Sequence, residues 1–348
     1  MLYFAGLGID QSPTLKTIHE LKKCEKIFYE SYTSPIINEN VLIELSQHFG
    51  SGKVELVKRE FVEDGRKILE AAKQMDVALV SSGDPLIATT HQELRTRAIK
   101  NGIETKVLHG SSIVSAAVGE LGLHSYNFGR MVTMTREPMQ YTAYNAIFNN
   151  LLKGLHTTVL LEWDETHSFF LDPASAVGSL LEAERDLKQG IFDGSTLLLM
   201  ASRLGTENAK LRALTFGQIK DENVGLPPHV LVIPGKLHFT EQEALSALFE
   251  KDADAFHDNS SKISKTSSRM VSKYAEKTLN ALQRAKKAAA SIDQKINFAD
   301  IFENVECYTS DAQRFLNEGK EELAVLSIGY AEGLLDSLRF GGLLEFEW

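Results

Sequence analysis

The chain has 348 residues, 47 of them acidic and 37 basic, and a formal net charge of -10. That length suits two or three domains of ~100 to 150 residues, and the acidic balance argues against a sequence-independent grip on nucleic acid, which needs clustered Lys and Arg. Cys24 and Cys307, the two cysteines, show no metal-type spacing with histidine and predict a reduced, cytoplasmic setting. The start MLYFAGLG lacks the charged region of a signal peptide, and no apolar run approaches the ~20 residues that span a bilayer, so neither secretion nor membrane insertion is expected.

Up to residue 123, strand and helix signals alternate: LYFAGLGI, a helix near residues 15–24, KIFYE, a helix near 41–49, VELV, a helix near 66–74, VALVSS, a helix from about His91, and TKVLHG. This rhythm predicts an open parallel sheet covered on both faces. A second α/β unit with a mixed sheet is predicted for residues 124–250, from MVTM, a helix near 143–152, TTVLLEW, a helix near 173–187, STLLLMAS and HVLVIP. Residues 251–268, KDADAFHDNSSKISKTSS, are polar and read as a linker.

Residues 269–348 carry a helical period and are expected to form a three-helix bundle. Val271, Ala275, Thr278, Leu282, Ala285, Ala289, Ile292 and Ile296 fall in alternating steps of four and three. Ile301, Val305, Tyr308, Ala312 and Phe315 repeat the step, and Leu323, Leu326, Tyr330 and Leu334 mark the seam of a third helix. Residues 269–295 carry seven basic and two acidic side chains, a net +5, whereas residues 296–348 carry three basic and eleven acidic, a net -8. Attraction between these segments favours closure of the bundle; a partner-binding face is the alternative.

Three loops of small residues point to a pocket. Gly6-Leu7-Gly8 ends the first strand, and Glu30 ends the second, a spacing that raises a nicotinamide-binding reading; Gln11, where the third glycine of that motif belongs, argues against it. Gly83-Asp84-Pro85 follows the fourth strand and predicts a strand-to-helix corner, with Asp84 as cap and Pro85 in the first turn. His109-Gly110-Ser111-Ser112-Ile113 follows the fifth. Small side chains at three carboxyl ends of one parallel sheet leave neighbouring openings where such sheets bind ligands.

Six stretches carry a resemblance: YFAGLG at the start, ESYTS from Glu30, GDPLIATTH from Gly83, HGSSIVSA from His109, GLHT from Gly154 and PPHVLVIPGKLH from Pro227. In this order, through residues 1–250, they resemble the diphthine synthase family, a branch of the tetrapyrrole-methylase-type methyltransferases that use S-adenosylmethionine. The resemblance implies two α/β domains with a bent S-adenosylmethionine between them, and a homodimer. It places Ile9, Asp84, Ile87, Ser112, Ile113, Leu161, Leu204 and His229 around the cofactor. Asp84 and Ser112 would offer acceptors to its ammonium or ribose, and Ile87, Ile113 and Leu161 would pack its adenosine. The implied reaction is trimethylation of the amino group of a 3-amino-3-carboxypropyl histidine on translation elongation factor 2, with no metal and no identified catalytic base. Ser111 stands where the family commonly has proline, and residues 135–144 lack its longer aromatic loop. Residues 269–348 resemble a small archaeal helical domain of uncharacterised function, with no partner implied.

Two alternatives stand beside this reading. One is another methyltransferase of the same superfamily, acting on a porphyrinoid or on ribosomal RNA ribose, the latter at odds with the net charge of -10. The other is an interaction protein whose enzyme part is degenerate.

Overall fold

The computed structural model describes the chain apart from residues 39, 51, 262, 264 and 292–296. It divides into two units, Met1–Ile263 and Ser264–Trp348.

The first unit opens with five strands, β1 (Leu2–Gly6), β2 (Lys26–Glu30), β3 (Val54–Val57), β4 (Val77–Ser81) and β5 (Thr105–Leu108), in the order β3-β2-β4-β1-β5. All pairings are parallel. Every residue of β1 and β4 is buried, because helices cover both faces and a central parallel strand must be apolar throughout. Helices α1 (Leu15–Leu21), α2 (Val41–Phe49), α3 (Arg59–Asp64), α4 (Arg66–Gln74), α5 (His91–Lys100) and α6 (Ile113–Glu120) complete this half. Helix α1 stops at Leu21, short of the expected residue 24, and α3 lies in a stretch with no helix expected. The strand order sets the carboxyl ends of β4, β1 and β5 side by side.

A second sheet follows, from β6 (Val132–Met134), β7 (Thr157–Leu161), β10 (Leu197–Ser202), β11 (Lys210–Thr215) and β12 (His229–Ile233), in the order β11-β10-β12-β7-β6. Only β6 and β7 pair in parallel, so the sheet is mixed, as expected. Strands β8 (Trp163–Asp164) and β9 (Phe169–Phe170) form a separate hairpin, and α7 (Tyr141–Leu151), α8 (Pro173–Leu187) and α9 (Phe239–Phe249) cover the sheet. Glu241, on α9, is wholly buried and accepts hydrogen bonds from the His124 and His238 backbone N–H groups at 2.8 Å each, locking the loop before β6 to the helix start.

The stretch read as a linker is built partly into this unit. Phe256 is 1% exposed, packed with Leu197, Val232 and Leu245. Buried Asn259 accepts from Leu197 N at 2.9 Å and donates to Leu197 O and Pro234 O, both at 2.9 Å. One amide side chain thereby pairs with strand β10 as a neighbouring backbone would.

The second unit is three helices, α10 (Thr266–Ala290), α11 (Ala299–Asn317) and α12 (Glu321–Phe340). On α10 the expected seam is observed: Val271, Thr278, Leu282, Ala285 and Ala289 are buried; Ile292 and Ile296 lie outside the described residues. On α11 Val305 and Ala312 are buried, joined by Phe302 and Thr309. The third seam is corrected. Ala324, Ile328, Ala331, Leu335 and Leu338 face the core, whereas Leu323, Leu326 and Tyr330 are exposed; of the expected seam, Leu334 is half-buried and packs against that core. Both sets obey a helical period, so periodicity alone does not choose between them. Among the described residues no helix is long and apolar enough to cross a membrane.

Candidate functional site

Three glycines pack the carboxyl ends of β1, β4 and β5 backbone to backbone. Gly8 N donates to Gly83 O at 3.1 Å and Gly83 N to Gly8 O at 2.8 Å, a two-residue bridge between the loops after β1 and β4. A Cβ on Gly110 would lie 2.4 Å from Gly83 O and 2.6 Å from Gly8 N, so the loop after β5 fits only without a side chain. Ser111 closes the group by accepting from Ile9 N at 3.1 Å, a bond that the proline common in the resembled family has no hydroxyl to make.

The Gly83-Asp84-Pro85 corner differs from the expected helix start. Helix α5 begins only at His91, with Thr90 before it. Ala88 has φ 56°, a left-handed conformation that no helix continuing from Pro85 tolerates. Asp84 instead accepts from Leu86 N at 2.9 Å through Oδ1 and meets His109 Nδ1 at 2.7 Å through Oδ2. Pro85 O accepts from Thr89 Oγ1 at 2.7 Å and pairs with His91 Nδ1 at 2.9 Å. The corner is thus a rigid irregular loop, and the buried Asp84 carboxylate is its hub.

Gln11 and Glu30, the residues weighed for nicotinamide binding, are structural. Gln11 is buried at φ 58°; its Nε2 donates to Pro35 O at 2.8 Å and Ser82 Oγ at 2.7 Å, and its Oε1 accepts from Ile37 N and Asn38 N. Glu30 is wholly buried, accepting from Tyr32 N and Thr33 N at 3.0 Å each. Burial pushes its carboxyl up to about 7, while burial pushes His91, whose Nε2 lies 3.5 Å away, down to about 4. His91 Nδ1 is committed to Pro85 O, so a neutral imidazole faces a carboxyl that burial draws toward protonation, and the contact is not an ion pair of imidazolium with carboxylate.

Above the glycine floor lies a cleft of about 600 Å³ between the two sheets, within the range of small-molecule sites. All eight residues expected at a cofactor line it: Ile9, Asp84, Ile87, Ser112 and Ile113 from the first half, Leu161, Leu204 and His229 from the second. Ser112 caps α6, accepting from Val114 N at 3.3 Å. Leu204 packs with Ile9, Ile113 and Val230. His229 begins β12, its Nε2 is 3.3 Å from Gly225 O, and burial lowers its pKa, leaving it neutral at pH 7.

Sequence reasoning missed the rest of the wall: Tyr32, Arg59, Met131, Glu162, Trp163 and Phe170 among others. Trp163 and Phe170 stack at 4.4 Å across the β8–β9 hairpin. The hairpin clasps the end of β2, since Trp163 Nε1 donates to Ser31 O at 2.8 Å and Ser31 Oγ donates to Glu165. TTVLLEW was legible as a strand, but nothing local indicates that its tryptophan reaches a strand end 132 residues away. Arg136 bridges Glu162 and Asp164 and lies 4.5 Å over Phe169, bracing the hairpin from the shortened loop.

The wall fits S-adenosylmethionine chemically. Aliphatic faces (Ile9, Ile113, Leu161, Leu204) stand ready for a nucleoside, and Ile87, an apolar side chain 42% exposed, would gain cover from a ligand. The Asp84 carboxylate retains acceptor capacity beyond its two partners.

Comparison with known proteins bears on family and fold. Residues 1–220 match the family of Tetrapyrrole (Corrin/Porphyrin) Methylases, and residues 273–344 match a protein family of unknown function, DUF357. The diphthine synthase of Methanocaldococcus jannaschii is 38% identical over 261 residues, covering 72% of this chain and 99% of that protein. That of Methanothermobacter thermautotrophicus is 36% identical over 250 residues, covering 70% and 94%. A crystal structure of diphthine synthase superposes with a TM-score of 0.65 at 28% identity, over 73% of this chain and 98% of that one. A conserved hypothetical protein from Aeropyrum pernix gives 0.66 at 27%, over 72% and 90%.

Proposed function

The chain belongs to the tetrapyrrole methylase family, among the relatives of diphthine synthases, and from that membership we propose that it is itself a diphthine synthase. It trimethylates the amino group of a 3-amino-3-carboxypropyl histidine on translation elongation factor 2, a step of diphthamide biosynthesis, and works as a cytoplasmic homodimer. The observation carrying this reading is the convergence of eight residues from both halves of the first unit on one cleft over a floor of backbone.

In the proposed enzyme, S-adenosylmethionine supplies an already activated methyl group, so the protein's task is positioning. Asp84 and Ser112 hold the polar end of the cofactor, and Ile87, Ile113 and Leu161 enclose its adenosine. Neutral His229 adds a polar group without a charge that would repel a sulfonium. Trp163 and Phe170 wall the opposite side, narrowing the approach of the acceptor. Each transfer leaves a cation that must lose a proton before the next, so turnover should rise on the alkaline side of neutrality.

The test is mass spectrometry of elongation factor 2 bearing the 3-amino-3-carboxypropyl group, after incubation with the protein and S-adenosylmethionine. Successive methyl increments on that histidine are expected. Absence of any increment on the factor, with transfer to RNA or a porphyrinoid instead, refutes the reading.

A further inference from the structure

Arg59, the first residue of α3, lines the cleft, and among the described residues it is the only Lys or Arg that does so. His229 is neutral there, so the wall carries one permanent positive charge. The position is informative. Strand β3 is the outer strand of the first sheet, and at ~4.8 Å per strand its end lies about 14 Å from that of β1 and about 19 Å from that of β5. Gly8, Ile9, Ser112 and Ile113 follow β1 and β5. Asp84 and Ile87, which follow β4, lie nearer, about 10 Å off by the same spacing, so Arg59 stands on the outer side of the cleft next to the polar end assigned to the cofactor, and its side chain is 61% exposed.

The guanidinium is steadied on two sides. Nε donates to Glu63 Oε1 at 2.7 Å, and the group lies 5.8 Å from the Tyr32 ring, which is fixed by a 2.9 Å hydrogen bond between Tyr32 Oη and Thr90 Oγ1. Nη1 and Nη2 make no hydrogen bond among the described residues. A planar fork with two free N–H groups suits a carboxylate. Resting on the proposed function, in which the amine to be methylated sits on the same carbon as a carboxylate, we infer that Arg59 is the group that binds the acceptor's carboxylate and so selects an α-amino acid end over a simple amine.

The experiment uses the full chain loaded with S-adenosylhomocysteine and titrated, by NMR, with L-2-aminobutyrate and with 1-aminopropane, the same amine without its carboxylate. Wild type should bind the amino acid 10- to 100-fold more tightly, roughly the value of a charge-assisted hydrogen bond. Arg59→Gln should abolish the preference, Arg59→Lys retain part of it, and Glu63→Gln, which removes the ion pair but keeps the cation, retain it. S-adenosylmethionine affinity should stay within about threefold in all three. With the modified elongation factor, Arg59→Gln should raise KM by a similar factor and leave kcat nearly unchanged. The inference is overturned if wild type shows no preference, if Arg59→Gln keeps it, if Glu63→Gln loses it equally, or if cofactor affinity falls with the arginine. Should wild type transfer no methyl to the factor, the proposed acceptor is refuted, while the pair of amines still decides the role of Arg59.

Discussion

Replacing Gly110 by alanine tests whether the floor of the cleft is as tightly closed as its distances indicate. The added Cβ would meet Gly83 O at 2.4 Å, Gly8 N at 2.6 Å and Gly6 C at 2.9 Å, against an ordinary contact of at least 3.4 Å. All three are backbone atoms, so relief requires moving a loop by roughly 1 Å. A shift of that size separates Gly8 from Gly83 and weakens their bonds of 3.1 and 2.8 Å. Overpacking typically costs about 1 to 3 kcal/mol and each lost hydrogen bond about 1 kcal/mol, so Gly110→Ala should destabilise the first unit by about 3 kcal/mol. Gly119 is the control. It lies in α6 with nothing within 4 Å of an added Cβ, so alanine there should stabilise by about 0.5 to 1 kcal/mol through helix propensity. Urea unfolding read at Trp163, with Trp348 replaced by phenylalanine, reports on this unit. The reasoning is refuted if Gly110→Ala unfolds within about 0.5 kcal/mol of its parent, since the glycine contacts would then yield freely.

Other outcomes follow from the same structure. Asp84→Asn should weaken S-adenosylmethionine binding by about tenfold while lowering stability by only about 1 kcal/mol, since the amide keeps an acceptor for Leu86 N; calorimetric titration showing unchanged affinity would remove Asp84 as a ligand. Glu30, with its folded pKa raised to about 7, favours the folded state fully below its ordinary value near 4.5 and loses that contribution as pH rises to 7. The stability difference between wild type and Glu30→Gln should accordingly shift against wild type by about 1 to 3 kcal/mol between pH 4.5 and 7.5, and a flat difference would show that folding leaves the carboxyl's pKa unshifted. A chain ending at Ile263 should fold and bind cofactor, whereas one ending at Glu250 loses the Phe256 burial and the Asn259 bonds, together about 5 kcal/mol, and should aggregate or unfold; equal thermal midpoints would refute the clip. In the bundle, Leu335→Ala should cost about 2 to 5 kcal/mol and Leu326→Ser less than about 0.5, measured at Trp348 with Trp163 replaced by phenylalanine; the reverse order would restore the seam expected from sequence.

The legible parts of the fold are those whose signals are local. Strands buried on both faces announce themselves as apolar runs, and so β1, β4, β7 and β10 were readable, whereas β11, an edge strand reading KLRALT, carries the composition of a surface loop. The third bundle helix shows the limit of periodicity: Leu323, Leu326 and Tyr330 compete with Ala324, Ile328 and Ala331, and only packing against two neighbours decides between them. Asp84 was read as a cap because Asp-Pro after glycine has that meaning locally; the bridge to Gly8, 75 positions earlier, is what redirects the chain. Asn259 was hidden for the same reason, as its partners lie 62 and 25 residues away. The eight cleft residues came from a resemblance in motif order, while Arg59 and Trp163 carry no local mark that separates them from an exposed helix start and a strand end.

The two ends of the cleft differ in what substitution can do to them. The glycine floor is made of main chain, and any side chain added at Gly6 or Gly110 collides with it, so almost no sequence freedom exists where the proposed cofactor rests. The mouth is made of side chains, among them Arg59 at the start of α3 and Met131 in the loop before β6, where a changed side chain can turn aside without main chain having to move; Trp163, tied to Ser31 O, is the exception. Exchanges at the mouth can therefore accumulate without disturbing the floor. A lineage built on this frame is free to change its acceptor while keeping its methyl donor, and divergence among its members should be concentrated on the β3 side of the cleft.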